Sequence, residues 1–290
     1  MSATTSYPRE APSRRKLGLR AFLREPIALV SSLILLIVVA VAVFAPSLTP
    51  YEYAEIDRTV RLVPPSTTHL MGTDHLGRDV WTRVAYGARI SVLVGLISVT
   101  LAGLIGAPLG LIAGFQGGWL DEVIMRLMDA LLVFPAVLLA LVVIAVLGSG
   151  LVPMSLAIAL VFIPAFARLT RGSVMAVKPR EYVEASRALG AGVPRVILRH
   201  VLPNVAAPII VQISISLAYA ILIEAALSYL GFGTQPPTPS WGQMLNEARS
   251  HMSRGPWLAV FPGIAIGLTV AALNLLGDRL RDILDPHVTS

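Results

Sequence analysis

The sequence predicts an all-α integral membrane protein with six transmembrane helices, and three observations carry that expectation. Of its 290 residues 55% are hydrophobic and only 14% charged, with a mean hydropathy of +0.74, too apolar for a domain whose whole surface meets water. The apolar residues fall in uninterrupted runs of about 18 to 25, the length of bilayer-crossing helices. The cations gather beside those runs, so the net charge of +6 reads as a positive-inside pattern and not as a nucleic-acid surface. A β-barrel is excluded because no series of alternating strands is present.

The first run, Ile27 to Ala45, ends at Pro46 and follows Arg14, Arg15, Lys16, Arg20 and Arg24. Ala40-Val41-Ala42 has the small-x-small form of a signal cleavage site, but the run exceeds the usual ~7 to 15 residue core of a secretory signal and further runs follow. Those are Ile90 to Ala113, Ile124 to Leu147, Leu151 to Phe166, Val205 to Leu227 and Trp257 to Leu276, broken at Gly117-Gly118, at Gly148-Ser149-Gly150 and by a charged island. The fourth is the shortest and contains Pro153 and Pro164. The expected organisation is a tail over residues 1–26, a first helix with its outer loop over 27–87, and a five-helix core over 88–290 whose island occupies 168–204.

Charge and parity agree on orientation. The island segment carries Arg168, Arg171, Lys178, Arg180, Arg187, Arg195 and Arg199 against Glu181 and Glu184. With six spans the amino-terminal tail, the island and the carboxy-terminal Arg279 and Arg281 fall on one side, expected to be the cytoplasm. The loop 47–87, with Glu52, Glu55, Asp57, Asp74 and Asp79 against Arg58, Arg61, Arg78 and Arg83, falls outside.

The island reads as helix, elbow, helix. Pro179 suits a first helical turn, Glu181 and Glu184 complement its dipole, and Gly190 supplies a stop. Tyr182, Ala185, Ser186 and Leu189 share one face. After Gly190-Ala191-Gly192, Pro194 opens a second short helix that Leu202-Pro203 is expected to close. So small a unit cannot bury a core of its own and must rest on the bilayer, its own bundle or a partner.

Glu184-Ala185-Ser186, then Gly190 after three residues, then Leu202-Pro203 resemble the EAA motif of ABC importer permeases, which runs Glu-Ala-Ala, three residues, Gly, nine residues, Ile, any residue, Leu-Pro. Ser186 replaces the second Ala and His200 the Ile. HLMGTDHLGRDVWTRVAYGARIS at 69–91, LIEAALSYLGFG at 222–233, PPTPSWGQML at 236–245 and GDRLRDILDP at 277–286 are similar to the C-type subunits of dipeptide, oligopeptide and nickel importers. The resemblance implies a type I permease fold and a noncatalytic subunit paired with a B-type permease in a bacterial inner membrane, both termini cytoplasmic. Two cytoplasmic ATPase domains would bind the ATP and magnesium, and an extracytoplasmic binding protein would deliver the substrate. It further implies that Glu181, Tyr182, Glu184, Ala185, Ser186, Leu189, Gly190, Leu202 and Pro203 form the coupling loop seated on an ATPase. A peptide is the expected cargo; nickel, glutathione-like compounds and haem are the alternatives within the branch.

Other chemistry finds no support. The only lysines, Lys16 and Lys178, do not follow Gly, so no Walker A loop exists. His69, His75, His200, His251 and His287 never make the H-E-x-x-H spacing, no G-x-S-x-G elbow occurs, and no cysteine is present. His69 and His75 with Asp74 and Asp79 read as Asx turns and Asp–Arg pairs rather than a metal site. Two carboxylates fall in spans, where a stranded charge is costly. Asp129 is expected to pair with Arg126 or another group near the cytoplasmic boundary. Glu224 is expected to accept from backbone N–H groups at 230–233, with a pathway-lining role as the second reading. A secondary transporter, the competing class, would need inverted repeats, and none is evident. Pro236, Pro237 and Pro239 with Trp241 and Trp257 suit a rigid outer segment that contacts a binding protein, gates the pathway or anchors at headgroups.

Overall fold

The computed structural model describes residues 25–284; the basic tail through Arg24 and the residues from Asp285 to Ser290, His287 among them, lie outside them. Ten helices follow in order: α1 (Pro26–Leu48), α2 (Val80–Gln116), α3 (Gly118–Leu132), α4 (Ala136–Leu147), α5 (Leu151–Val177), α6 (Glu181–Ala188), α7 (Val193–Val196), α8 (Leu202–Tyr229), α9 (Trp241–Ala248) and α10 (Trp257–Leu284). Among the described residues the only β pairing is a single bridge between Thr73 and Asp79. The chain alternates between two ends, a cap end carrying 49–79 and α9, and an island end carrying α6 and α7.

Five helical segments are long and apolar enough to cross a bilayer, α7 and α8 running together as one; α3 and α4 make a sixth crossing only as a pair bent by 93°. The expected third span is thus broken. Pro135 cannot donate to the helix ladder and disfavours the helical conformation at Phe134, so α3 ends and α4 restarts with Pro135 as its N-cap. Three other boundaries differ from expectation. Pro46 lies inside α1 and does not end it. The fourth span, expected to be the shortest, is a 27-residue helix that passes Phe166 without interruption and tolerates Pro164 within. The second begins at Val80, ten residues early and inside the region assigned to the outer loop, because Asp79 caps it by accepting from the Thr82 backbone N–H at 2.8 Å.

The core is built where α2 lies against α5, the most extensive helix pair. A Cβ on Gly106 would stand 2.5 Å from the Ile163 carbonyl oxygen, and one on Gly110 2.1 Å from that of Ala167. These glycines, with Gly114 one turn further, bring two backbones into contact. Without a hydrophobic drive between helices in lipid, such close approach is what holds a pair together. Around this seam Val94, Val99, Ile158, Phe166 and Leu227 fill the main apolar cluster. A second cluster joins α1, α8, α9 and α10 through Ala42, Ala218, Trp241 and Leu273.

Gly110→Val should therefore push α2 off α5 and cost about 2 kcal/mol or more, as overpacking does. Thermal unfolding in detergent checks this: a Tm near wild type would contradict the backbone contact, whereas the same change at Gly263, whose Cβ direction is open, should leave Tm unchanged.

Candidate coupling site and pathway

The island end is organised by a glycine elbow. The Gly190 N–H donates to the Arg187 carbonyl at 2.9 Å and the Ala191 N–H to the Ser186 carbonyl at 3.1 Å, a Schellman closure in which Gly190 takes φ +82°. Glu181 and Glu184 lie in the first turn of α6, while Pro179 stands before the helix and not within it. Val183 is fully buried among Phe115, Val174, Val196 and Val201, and the Arg187 guanidinium lies 4.7 Å from the Phe115 ring centre. Those contacts fix α6 to the ends of α2 and α5.

The face of Tyr182, Ala185, Ser186 and Leu189 is largely uncovered by this chain, its main contact being the Tyr182 ring 6.3 Å from that of His200. Tyr182 is 43% and Leu189 89% exposed, and Val193 and Leu198 beyond the elbow are exposed as well. Leu202-Pro203 does not close the second helix either. Pro203 has no N–H to donate, and the strain is absorbed upstream by a π turn over Ile197–Val201, in which the Leu202 N–H reaches back to the Ile197 carbonyl. The island therefore continues without a joint into α8.

Asp129, Asp121 and Glu224 are each paired, Asp129 with a group at the island boundary as its expectation allowed and Glu224 with donors other than those expected. Asp129 bonds Arg168 of α5 rather than Arg126, and Asp121 takes the Arg171 guanidinium through both oxygens at 2.5 and 2.7 Å. Glu224 is fully buried and accepts from the hydroxyls of Ser91 and Ser228, both at 2.7 Å. Side-chain hydroxyls on α2 and α8, not the backbone at 230–233, are its donors, and burial removes it from any pathway wall. Hydropathy could not reveal that partnership, because Ser91 is 133 positions away.

At the cap end the expected Asp–Arg pairing and Asx turn form at Asp74, and Glu247 of α9, a partner not foreseen from the sequence, extends them into a charge network that ties the loop to the bundle. Arg78 donates to Asp74 at 2.5 Å and to Glu247 at 2.7 Å, and Arg83, 1% exposed in its side chain, reaches Glu247 at 3.1 Å. Trp257 donates to the Thr73 carbonyl at 3.1 Å and Trp241 to that of Val84 at 3.0 Å. His69 bonds Asp79 at 3.0 Å. Asp74, His75 and Glu247 bring possible ligand atoms within 4.8 Å of one another, but both carboxylates already hold guanidinium groups, two anions against two cations. An ion there would have to displace an arginine.

His75 stacks on His251 with ring centres 4.7 Å apart, and its Nδ1 is buried without a partner. Desolvation pushes its pKa below the ordinary imidazole value, against the pull of Asp74 and Glu247. The unfolded chain then binds more protons than the folded one, so this contribution to stability is complete above about pH 6.5 and is lost as pH falls through it. Tm in detergent should drop between pH 7.5 and 5.5, and His75→Gln should flatten the drop. For Glu224, replacement by Leu should cost about 1 to 3 kcal/mol by orphaning two hydroxyls, while Gln, which keeps an acceptor, should cost less; equal losses in thermal unfolding would contradict the assignment.

Comparison with known proteins places this architecture. Residues 106–290 match the family of binding-protein-dependent transport system inner membrane components, and residues 13–65 match the N-terminal transmembrane domain of oligopeptide transport permease C. The chain is 46% identical over 274 residues to the glutathione transport system permease protein GsiD of Pectobacterium atrosepticum, covering 93% of this chain and 90% of that one. It is 47% identical over 283 residues to the di/tripeptide transport system permease protein DppC of Pseudomonas aeruginosa, covering 96% and 93%. Among solved structures, a chain of the MetNI methionine ABC transporter in an inward-facing conformation superposes with a TM-score of 0.58 at 17% identity, over 69% of this chain and 94% of that one, a likeness of fold. The chain belongs to the binding-protein-dependent inner membrane components, the permease subunits of ABC importers, in the branch of the C-type peptide permeases.

Proposed function

We propose that this chain forms one half of the translocation pathway of an ATP-driven peptide importer, with its island end in the cytoplasm as the handle through which ATPases move it. The observation that carries the reading is the uncovered elbow. Leu189, at 89% exposure, crowns a rigid turn that faces no residue of this chain, since a Cβ on Gly190 would meet nothing within 4 Å. An apolar tip so placed fits a groove on a partner, and the charge bias of the flanking segments puts that partner in the cytoplasm. A B-type permease would complete the pathway, and an extracytoplasmic binding protein would deliver substrate to the cap end. Dipeptides and short peptides are the cargo that the names of the relatives favour, with glutathione as the near alternative.

Because α6 is fixed to α2 and α5, and α7 runs on into α8, a shift of the elbow moves three spans as a body. Asn tolerates a left-handed backbone, so Gly190→Asn preserves the turn and adds a side chain only where a partner would sit. In the assembled complex it should reduce stimulation of ATP hydrolysis by loaded binding protein at least tenfold, and Gly190→Asp should do the same, with unchanged assembly on size exclusion. Full stimulation in both variants would overturn the coupling role.

A further inference from the structure

We infer that Gln212, Tyr219 and Asn274 form a neutral hydrogen-bonding face, with Tyr219 and Asn274 at mid-membrane depth and Gln212 about 10 Å nearer the island end, that lines the translocation pathway and meets the peptide backbone; the inference rests on the proposed function. Tyr219 stands ten residues before the cap end of α8, hence about 15 Å into a hydrocarbon core of about 30 Å. It is 55% exposed, and among the described residues its hydroxyl has no hydrogen-bond partner. Tyrosine belongs at membrane boundaries, where its hydroxyl finds water; at the midplane facing lipid that group would be stranded.

Two carboxamides lie on the same side of these helices. Gln212 is half-buried, and its amide donates to Ser216 at 3.0 Å. Asn274 of α10 is exposed. Gly277 packs on Ser214 and Ile215, so in these antiparallel helices Tyr219 and Asn274 each stand about one turn toward the cap from that contact. The α8–α10 seam runs through Ala218, Ile221 and Ala225 on one side and Ile266 and Leu273 on the other. By helical rotation Tyr219 lies about 110° around α8 from the seam, Gln212 about 130°, and Asn274 about 80° around α10. The helices are antiparallel, so these rotations turn toward the same side.

All three groups both donate and accept, and none is charged. Such a face matches the amides of any short peptide whatever its side chains, and without an ion pair it holds them too weakly to trap them. Lipid is the wrong occupant on grounds of polarity, and a dry contact with the second permease is the rival that the experiment must separate.

The chain has no cysteine, so single substitutions report cleanly. In the assembled complex, with partner cysteines removed and label counted on this chain by mass, Tyr219→Cys and Asn274→Cys should react with a charged methanethiosulfonate at least ten times faster than Leu36→Cys. Leu36 is 65% exposed on α1, in a wholly apolar run that suits contact with lipid. Should Tyr219→Cys fail to assemble, Gln212→Cys and Asn274→Cys carry the same expectation. Labelling no faster than at Leu36, in a complex whose ATPase still responds to loaded binding protein, overturns the inference and leaves the importer reading intact. A wild-type complex without that response is the failure of the importer reading instead.

Discussion

Everything in this protein hangs on the contact of two backbones. Gly106 and Gly110 let α2 lie so close to the Ile163 and Ala167 carbonyls of α5 that no side chain fits between. Helices in lipid gain nothing from hiding apolar surface from one another, so close van der Waals contact has to supply the cohesion. These two helices run from the cap to the island, and the elements at either end are attached to them. Val183 and Arg187 seat the island on Phe115 and Val174 at one end, while Asp79, Arg83 and Trp241 bind the cap at the other.

That arrangement suits a small helix to the proposed role of a handle. An eight-residue helix such as α6 has too little buried surface to hold itself, but a Schellman turn at one end, a buried valine and a ring-stacked arginine make it a fixed projection of the bundle. The π turn before Pro203 is the complementary device. It keeps the helical path continuous where proline would otherwise interrupt it, so α7 is joined to α8 by hydrogen-bonded backbone and not by a hinge. Force applied at Leu189 then has a stiff route to the centre of the membrane.

The spans, the island and its spacing were legible in the sequence because hydropathy, charge clustering and glycine stops are local signals. Legibility ended where a partner lay far along the chain. Glu224 could be recognised as buried and satisfied, but not that Ser91 satisfies it, whereas Ser228, one helical turn on, was within local reach; Asp129 could be recognised as paired, but not with Arg168. Whether a proline such as Pro135 kinks a helix or breaks it into two at 93° depends on tertiary packing, which no local signal carries. Leu202-Pro203 misled as a stop, since the expectation assumed an α ladder and the backbone used a longer hydrogen bond instead. The glycines at 106, 110 and 114 recur every four residues, a periodicity invisible to hydropathy but readable as a small-residue stripe. The residues proposed for coupling were assigned through the family resemblance, and among them Tyr182 and Leu189 are exposed in this chain.

The central claim is that this chain moves peptides only as part of an ATP-powered assembly gripped at the island. Uptake of a labelled dipeptide, dialanine for one, into proteoliposomes holding this chain, its permease partner and their ATPases, with binding protein added on the cap side, tests it most directly. The account predicts uptake that requires internal ATP and binding protein and is indifferent to collapse of ion gradients. Uptake by this chain alone, driven by a proton or sodium gradient without ATP, would contradict it.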